Sequence, residues 1–444
     1  MKNCLKVAGL GMLGALVAPA LAFAAETALK PAVLKVDSGD TAWILVSSAM
    51  VFLMTPGLAF FYGGLVRRKN VLSLLMQCMF MACLISVQWV AYGYSLSFGP
   101  DWKGLVGNLS WAGLNGVGLE PNPVYAATVP HQAFMIYQAM FAIITPALIV
   151  GAFVERMKFS SFVVFSLLWA TFIYAPVCHW VWGDGGFLKK MGVLDFAGGT
   201  VVHINAGMAA LAAALVLGKR LGFPHRVSPP HSLPLAVLGA GLLWFGWFGF
   251  NGGSALTAGG LATSAFVATN TAGATAGLVW AFLDRMFSKR PTMLGIITGA
   301  VAGLAAVTPA SGFVTVGGAM WIGLGSAVIC FISVSFVKSR LGYDDSLDAF
   351  GVHGVGGIWG TLAAGLWATK AVNPAGADGL FYGNPAQFIV QLKATLLIAV
   401  YSFAGSWALL KLVDLVMGLR VTEQEEQIGL DLTQHREVGY TVLQ

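Results

Sequence analysis

Charge is scarce in this chain: 10% of its residues are Asp, Glu, Lys or Arg, against roughly 25% in soluble domains. A soluble fold needs a polar face on most helices, and few of the apolar stretches here have one. With 57% hydrophobic residues and a mean hydropathy of +0.77 over 444 residues, the composition is that of an all-α polytopic membrane protein. Cysteine is also sparse. Cys4 lies in the N-terminal leader, and Cys78, Cys83, Cys178 and Cys330 lie inside apolar stretches without metal-ligand spacing. They read as small hydrophobes, not as a zinc site or disulfides. No paired carboxylates, nucleophile or metal set accompanies the histidines, which argues against an enzyme and against a bound metal or cofactor. The formal charge of +6 invites nucleic acid as a partner, but the basic residues form short clusters between apolar runs, where membrane topology puts them.

The first residues form a unit of their own: Lys2 and Lys6, an apolar centre from Val7 to Leu21, then Ala22-Phe23-Ala24 as a small-x-small cleavage site. Residues 1–24 read as a cleaved signal peptide, because the apolar centre is short for a full span of about 20 residues. Eleven apolar runs long enough to cross a bilayer follow, near 41–63, 71–98, 131–154, 159–182, 196–217, 233–252, 256–283, 292–309, 313–337, 349–369 and 388–417. Residues 25–417 are thus the transmembrane domain and 418–444 a tail. Alternate loops collect Arg67, Arg68, Lys69, Arg156, Lys158, Lys219, Arg220, Arg226, Arg285, Lys289, Arg290, Lys338 and Arg340 on one side, and only Lys103, Lys189, Lys190 and Lys370 on the other. The first side is therefore cytoplasmic, with the mature N-terminus outside and the tail inside.

Two histidines sit in glycine-rich apolar segments: His203 in Gly199-Thr200-Val201-Val202-His203-Ile204-Asn205 and His353 in Gly351-Val352-His353-Gly354-Val355. An ionisable ring among residues suited to hydrocarbon is costly unless it has a partner or lines a path. Alone, each reads as packing, metal binding or transport. They fall on spans five and ten, so spans one to five and six to ten read as repeats. Five spans per repeat is odd, so the repeats are inverted, with the eleventh span an addition and the substrate path at the repeat interface near mid-membrane. Neutral imidazole has one donor and one acceptor, so two facing rings can pair with each other and offer polar atoms to a small uncharged guest.

The aromatics leave more open. Trp182 ends the fourth span as an interfacial anchor or as a face for a small cation, which an aromatic ring attracts by up to about 2 kcal/mol when desolvated. Phe134, Tyr137 and Phe141 share one helix face, and Phe250 ends Trp247-Phe248-Gly249-Phe250. By spacing alone they are equally lipid-facing or core. Asp195 opens the fifth span, where a carboxylate caps free amides and also lowers the cost of a nearby cation.

Together these residues form a resemblance. Thr55-Pro56-Gly57 with Phe61-Tyr62-Gly63-Gly64-Leu65-Val66-Arg67, Asp195-Phe196-Ala197-Gly198-Gly199 with its His203 segment, Gly246-Trp247-Phe248-Gly249-Phe250-Asn251-Gly252-Gly253-Ser254, Val307-Thr308-Pro309-Ala310, and Asp348-Ala349-Phe350-Gly351-Val352-His353-Gly354 resemble the ammonium transporter (Amt/Mep/Rh) family, bacterial Amt branch. The resemblance runs from about residue 40 into the tail. It implies a homotrimer in the bacterial inner membrane with one pore per subunit, and ammonium or methylammonium as cargo. It assigns Trp182, Ser254, Tyr137 and Phe141 to an external ammonium site, and Phe141 and Phe250 to a stacked constriction. His203 and His353 become the twin pore histidines, and Asp195 the carboxylate beneath the recruitment site. Tyr137 stands where the family commonly has Phe.

A bare ammonium ion in a narrow apolar pore loses hydration that a few ring contacts cannot replace, whereas ammonia is neutral. The expected mechanism is deprotonation near the constriction and passage of ammonia by the histidines. The tail resembles the family's regulatory segment, which cooperates with a PII-class protein. His435-Arg436-Glu437 replaces the usual His-Gly-Glu, and losing that glycine costs backbone freedom. The alternative is an ammonium sensor on the same fold, acting through a cytoplasmic partner.

Overall fold

The computed structural model describes residues 34–225 and 229–440; the leader of residues 1–24 lies outside the described residues. Among the described residues, nine helices are long and apolar enough to cross a membrane. They are α1 (Ser38–Leu65), α2 (Arg68–Phe98), α3 (His131–Phe153), α4 (Phe159–Met191), α5 (Gly199–Leu217), α6 (Leu233–Ala255), α7 (Gly260–Phe287), α9 (Val316–Leu341) and α11 (Pro385–Met417). Two expected spans form shorter helices: α8 (Met293–Val307) and α10, where Phe350–Gly354 runs into Val355–Trp367. The chain is a helical, multi-pass membrane protein. Between α2 and α3 lie two small antiparallel hairpins, Asp101–Trp102 with Val106–Gly107 and Pro121–Asn122 with Ala126–Pro130.

Local chemistry sets several helix ends. Asp37, Ser232, Thr292 and Thr315 each cap the helix that follows by accepting a first-turn amide, as short polar side chains do. Packing then sorts the helices. α3 is central, with every side chain but Gln132 and Ile136 buried, while only 28% of the most apolar stretch of α11 is buried. α1 lies along α6, where a Cβ added at Gly239 would come within 2.1 Å of the Phe61 amide nitrogen. Small residues permit that approach, which apolar attraction alone does not drive in lipid.

At the basic end, Glu155 binds together loops from three parts of the chain. It accepts from the Arg67 amide at 2.8 Å, from Asn70 Nδ2 at 3.0 Å and from the Arg220 guanidinium at 3.1 Å. Arg220 also pairs with Asp344 at 2.9 Å. The tail docks on this cluster through α12 (Glu423–Ile428) and α13 (Leu430–His435). The Leu430 amide donates to Asn70 Oδ1 at 2.8 Å, the Ser73 amide to Asp431 Oδ1 at 2.7 Å, and the Leu221 amide to Glu426 Oε1 at 2.7 Å. Arg436 ends α13 at φ 57°, the left-handed conformation that glycine would take without strain. The final turn is kept despite the substitution, because the Arg436 amide still reaches the Leu432 carbonyl at 3.0 Å.

Burial pushes the Glu155 carboxyl up, but the Arg67 and Arg220 guanidiniums outweigh it and hold the group below its usual range. A carboxyl held low in the folded state stabilises the fold above its ordinary range, near pH 4.3, and that contribution is lost as pH falls toward the lowered value. Thermal unfolding of the purified protein in detergent should therefore show a midpoint that drops on acidification. Glu155→Gln should lower the neutral-pH midpoint by a few degrees and flatten the acid slope. An unchanged slope in the variant would count against this role for Glu155.

Candidate functional site

Three cavities follow one another through the bundle. The first, about 250 Å³ at the hairpin end, is lined among others by Phe134, Gln138, Phe141, Trp182, Asp195 and Ser254. Its floor is Phe141, whose ring lies 4.3 Å from that of Phe250, with planes 39° apart. Past this pair is a space of about 10 Å³ bounded by Leu58, Ile144, Val202 and Trp247 together with both histidines. That is roughly the room one water molecule needs. The third cavity, about 350 Å³ at the basic end, shares Phe61, Val301 and His353 with the second and contains Lys338 and Asp348.

Each side chain is placed by an identifiable local feature. Trp182 donates its indole N–H to the Asp195 carbonyl at 2.8 Å, which turns its ring edge-on to Phe141 at 5.8 Å and 87°. Ser254 donates to the Phe250 carbonyl at 2.8 Å, which commits its single proton to α6 and leaves its oxygen to accept. Tyr137 departs from the sequence expectation. Its ring is fully buried behind Phe141 at 5.0 Å, and it is not among the residues lining the first cavity. A phenol among apolar residues needs an acceptor, and its hydroxyl finds the Phe250 carbonyl at 2.8 Å and the Gly249 carbonyl at 2.9 Å, with Ser254 Oγ at 3.1 Å. Tyr137 therefore fixes the end of α6 that carries Phe250 and Ser254.

The histidine rings lie 5.3 Å apart between centroids and 12° from parallel. His203 also lies 5.6 Å from Trp247, at 23°. The hydrogen bond expected between the two rings is not made in this structure. Among the described residues, neither nitrogen of His203 nor Nδ1 of His353 has a protein partner. Helical backbone and Trp247, anchored by its indole N–H on Thr308 Oγ1 at 2.9 Å, position the rings instead. Both lie on wide helical turns: the His203 amide reaches back five residues to the Gly198 carbonyl at 3.0 Å, and Phe350–Gly354 winds the same way. Wide turns of this kind occur often at functional sites.

Asp195 starts the first of these turns. Its carboxylate accepts from the amides of Gly198 at 2.7 Å, Gly199 at 2.7 Å, Thr200 at 2.8 Å and Val201 at 3.3 Å, and from the Thr200 hydroxyl. Gly198, at φ 116°, lets the chain fold back over it. A counterpart went unnoticed in the sequence: Asp345 is buried and accepts from the amides of Ala349 at 3.1 Å and Phe350 at 2.8 Å, starting the His353 turn. The signal was spacing, since each carboxylate stands eight residues before its histidine. Burial, then the neighbouring Asp348, push the Asp345 carboxyl up. Among the described residues no three His, Cys, Asp or Glu side chains are grouped to hold a metal ion.

The sequence profile described as Ammonium Transporter Family matches residues 42–440. An ammonium transporter of Bacillus subtilis is 50% identical over 402 residues, covering 90% of this chain and 98% of the relative. Among solved structures, Mep2 of Candida albicans superposes with a TM-score of 0.83 at 38% identity, covering 88% of each chain. A solved protein described as a sensor Amt protein superposes with a TM-score of 0.83 at 31% identity, covering 89% of this chain and 98% of that one.

Proposed function

The chain belongs to the ammonium transporter family, and on that premise we propose how it works: it recruits ammonium in the hairpin-end cavity, removes a proton near Phe141 and Phe250, and conducts ammonia past His203 and His353. The reading rests on one observation above all. A cavity walled by aromatic rings ends on a closely packed, tilted phenylalanine pair, and beyond that pair are buried imidazole nitrogens without protein partners among the described residues. Trp182 and Phe141 offer ring faces to a cation, and Ser254 offers an acceptor. Past the phenylalanines the walls are apolar apart from the two imidazoles, so a charged guest would lose its hydration with little replacement while a neutral one pays far less. Buried polar atoms without partners call for an explanation, and a passing ammonia molecule supplies a missing partner.

The same reading makes the basic end cytoplasmic, places the protein in the inner membrane after cleavage at residue 24, and counts eleven spans as an inverted five-plus-five repeat with one addition. The matching Asp195–His203 and Asp345–His353 turns support the repeat. A homotrimer is the proposed assembly, and the docked tail is the proposed surface for a PII-class partner. The histidines are proposed to relay the released proton. In proteoliposomes, His203→Ala or His353→Ala should reduce the ammonium-evoked current at least about tenfold or relax selectivity against potassium; unchanged current and selectivity would end the relay role. The sensor reading is favoured by the likeness to the sensor Amt protein. Methylammonium uptake by cells lacking other ammonium transporters separates the two, since a sensor binds without flux.

A further inference from the structure

One ionisable group in the hairpin-end cavity has no role in this scheme. Lys189, in the short helix Phe187–Met191 after a break at residues 183–186, lines that cavity together with Trp182, Phe141 and Ser254. Its ammonium group lies 5.6 Å from the centre of the Tyr125 ring, and Nζ donates to the Trp182 carbonyl at 3.3 Å. It forms no ion pair among the described residues. The carboxylate lining the cavity is Asp195, and both of its oxygens are already occupied by donors from its own turn. A primary ammonium thus rests on an aromatic face of the compartment that has to accept a small ammonium ion.

We propose that Lys189 is a resident cation of the outer cavity, which sets the affinity for incoming ammonium by charge repulsion and by occupying the Tyr125 face. The inference rests on the reading of this cavity as the entry site. Two like charges several ångströms apart in a partly hydrated cleft repel by an amount that corresponds to roughly three- to tenfold in affinity. The effect weakens with salt, because at about 1 M the screening length is only ~3 Å. It falls on capture of the ion and not on conduction beyond the phenylalanines.

The test is methylammonium uptake by full-length protein in proteoliposomes, with KM and maximal rate measured at low and high sodium chloride. Lys189→Gln should lower KM roughly three- to tenfold at low salt with little change in maximal rate, and the difference should shrink at high salt. Lys189→Arg should behave as wild type, as should Lys190→Gln on the neighbouring exposed lysine that does not line the cavity. Overturning results are an unchanged KM for Lys189→Gln at low salt, a drop that survives high salt, or the same drop in Lys189→Arg. Trp182→Ala separates this inference from its premise. If it raises KM while Lys189→Gln does nothing, the cavity is the entry site and the role of Lys189 is wrong; if it leaves KM unchanged, the entry-site reading falls and the inference with it.

Discussion

Gly207→Ala is expected to cut methylammonium uptake more than about tenfold, although alanine is the better helix former. Gly207 lies on α5, four residues past His203, and a Cβ there would come within 2.2 Å of both the Cα and the amide nitrogen of Gly354. Gly354 directly follows His353. No flexible side chain is available to move aside, so the added methyl must push the two backbones apart. Alanine gains about 0.8–1 kcal/mol in helix propensity, while overpacking a tight contact costs typically 1–3 kcal/mol and occasionally more. A backbone-to-backbone clash belongs at the high end, and packing wins. The strain falls where the twin rings stand 5.3 Å apart, so transport should suffer before folding does. Gly241→Ala is the control, because its Cβ would meet nothing within 4 Å among the described residues; it should leave uptake and the melting midpoint unchanged. Uptake at the wild-type rate in Gly207→Ala would mean that close approach of α5 and α10 is not what the pore requires.

The second large effect is expected at Asp195. Asp195→Ala removes the acceptor for four backbone amides and the Thr200 hydroxyl. Each buried donor left without a partner costs about 1–3 kcal/mol, so the sum rivals a typical total stability of roughly 5–15 kcal/mol. Little folded protein should reach the membrane. Asp195→Asn keeps the shape but turns an NH₂ toward one set of donors, either those of Gly198 and Gly199 or those of Thr200. It should fold with a lower melting midpoint and lose uptake more than about tenfold, because the turn carrying His203 and the carbonyl that holds Trp182 both depend on it. The corresponding change at Asp345, which accepts two amides, should do less. An asparagine variant that melts and transports like wild type would show that the carboxylate is not what shapes this turn.

These cases show what could be read along the chain. Hydropathy located the spans closely: a run expected at 131–154 is the helix His131–Phe153, and one expected at 388–417 lies within Pro385–Met417. The histidines could be matched by span number, and the capping role of Asp195 followed from its place before the first turn. Asp345 is legible from the same eight-residue spacing, although Asp348 stands closer to the recognisable motif. Tyr137 is different, since nothing around it in sequence announces that its hydroxyl serves carbonyls 112 and 113 residues away.

Apolarity and helical periodicity are properties of neighbouring residues, so the amino-acid order was enough to establish a multi-span helical membrane protein and its motifs. Distances between segments far apart in the chain are not local. Whether Phe141 closes on Phe250, whether two imidazoles pair or stand side by side, whether the tail docks and whether Lys189 reaches the hairpin-end cavity all depend on how close helix backbones can come, and it took the packed bundle, with glycines at its tightest crossings, to decide them.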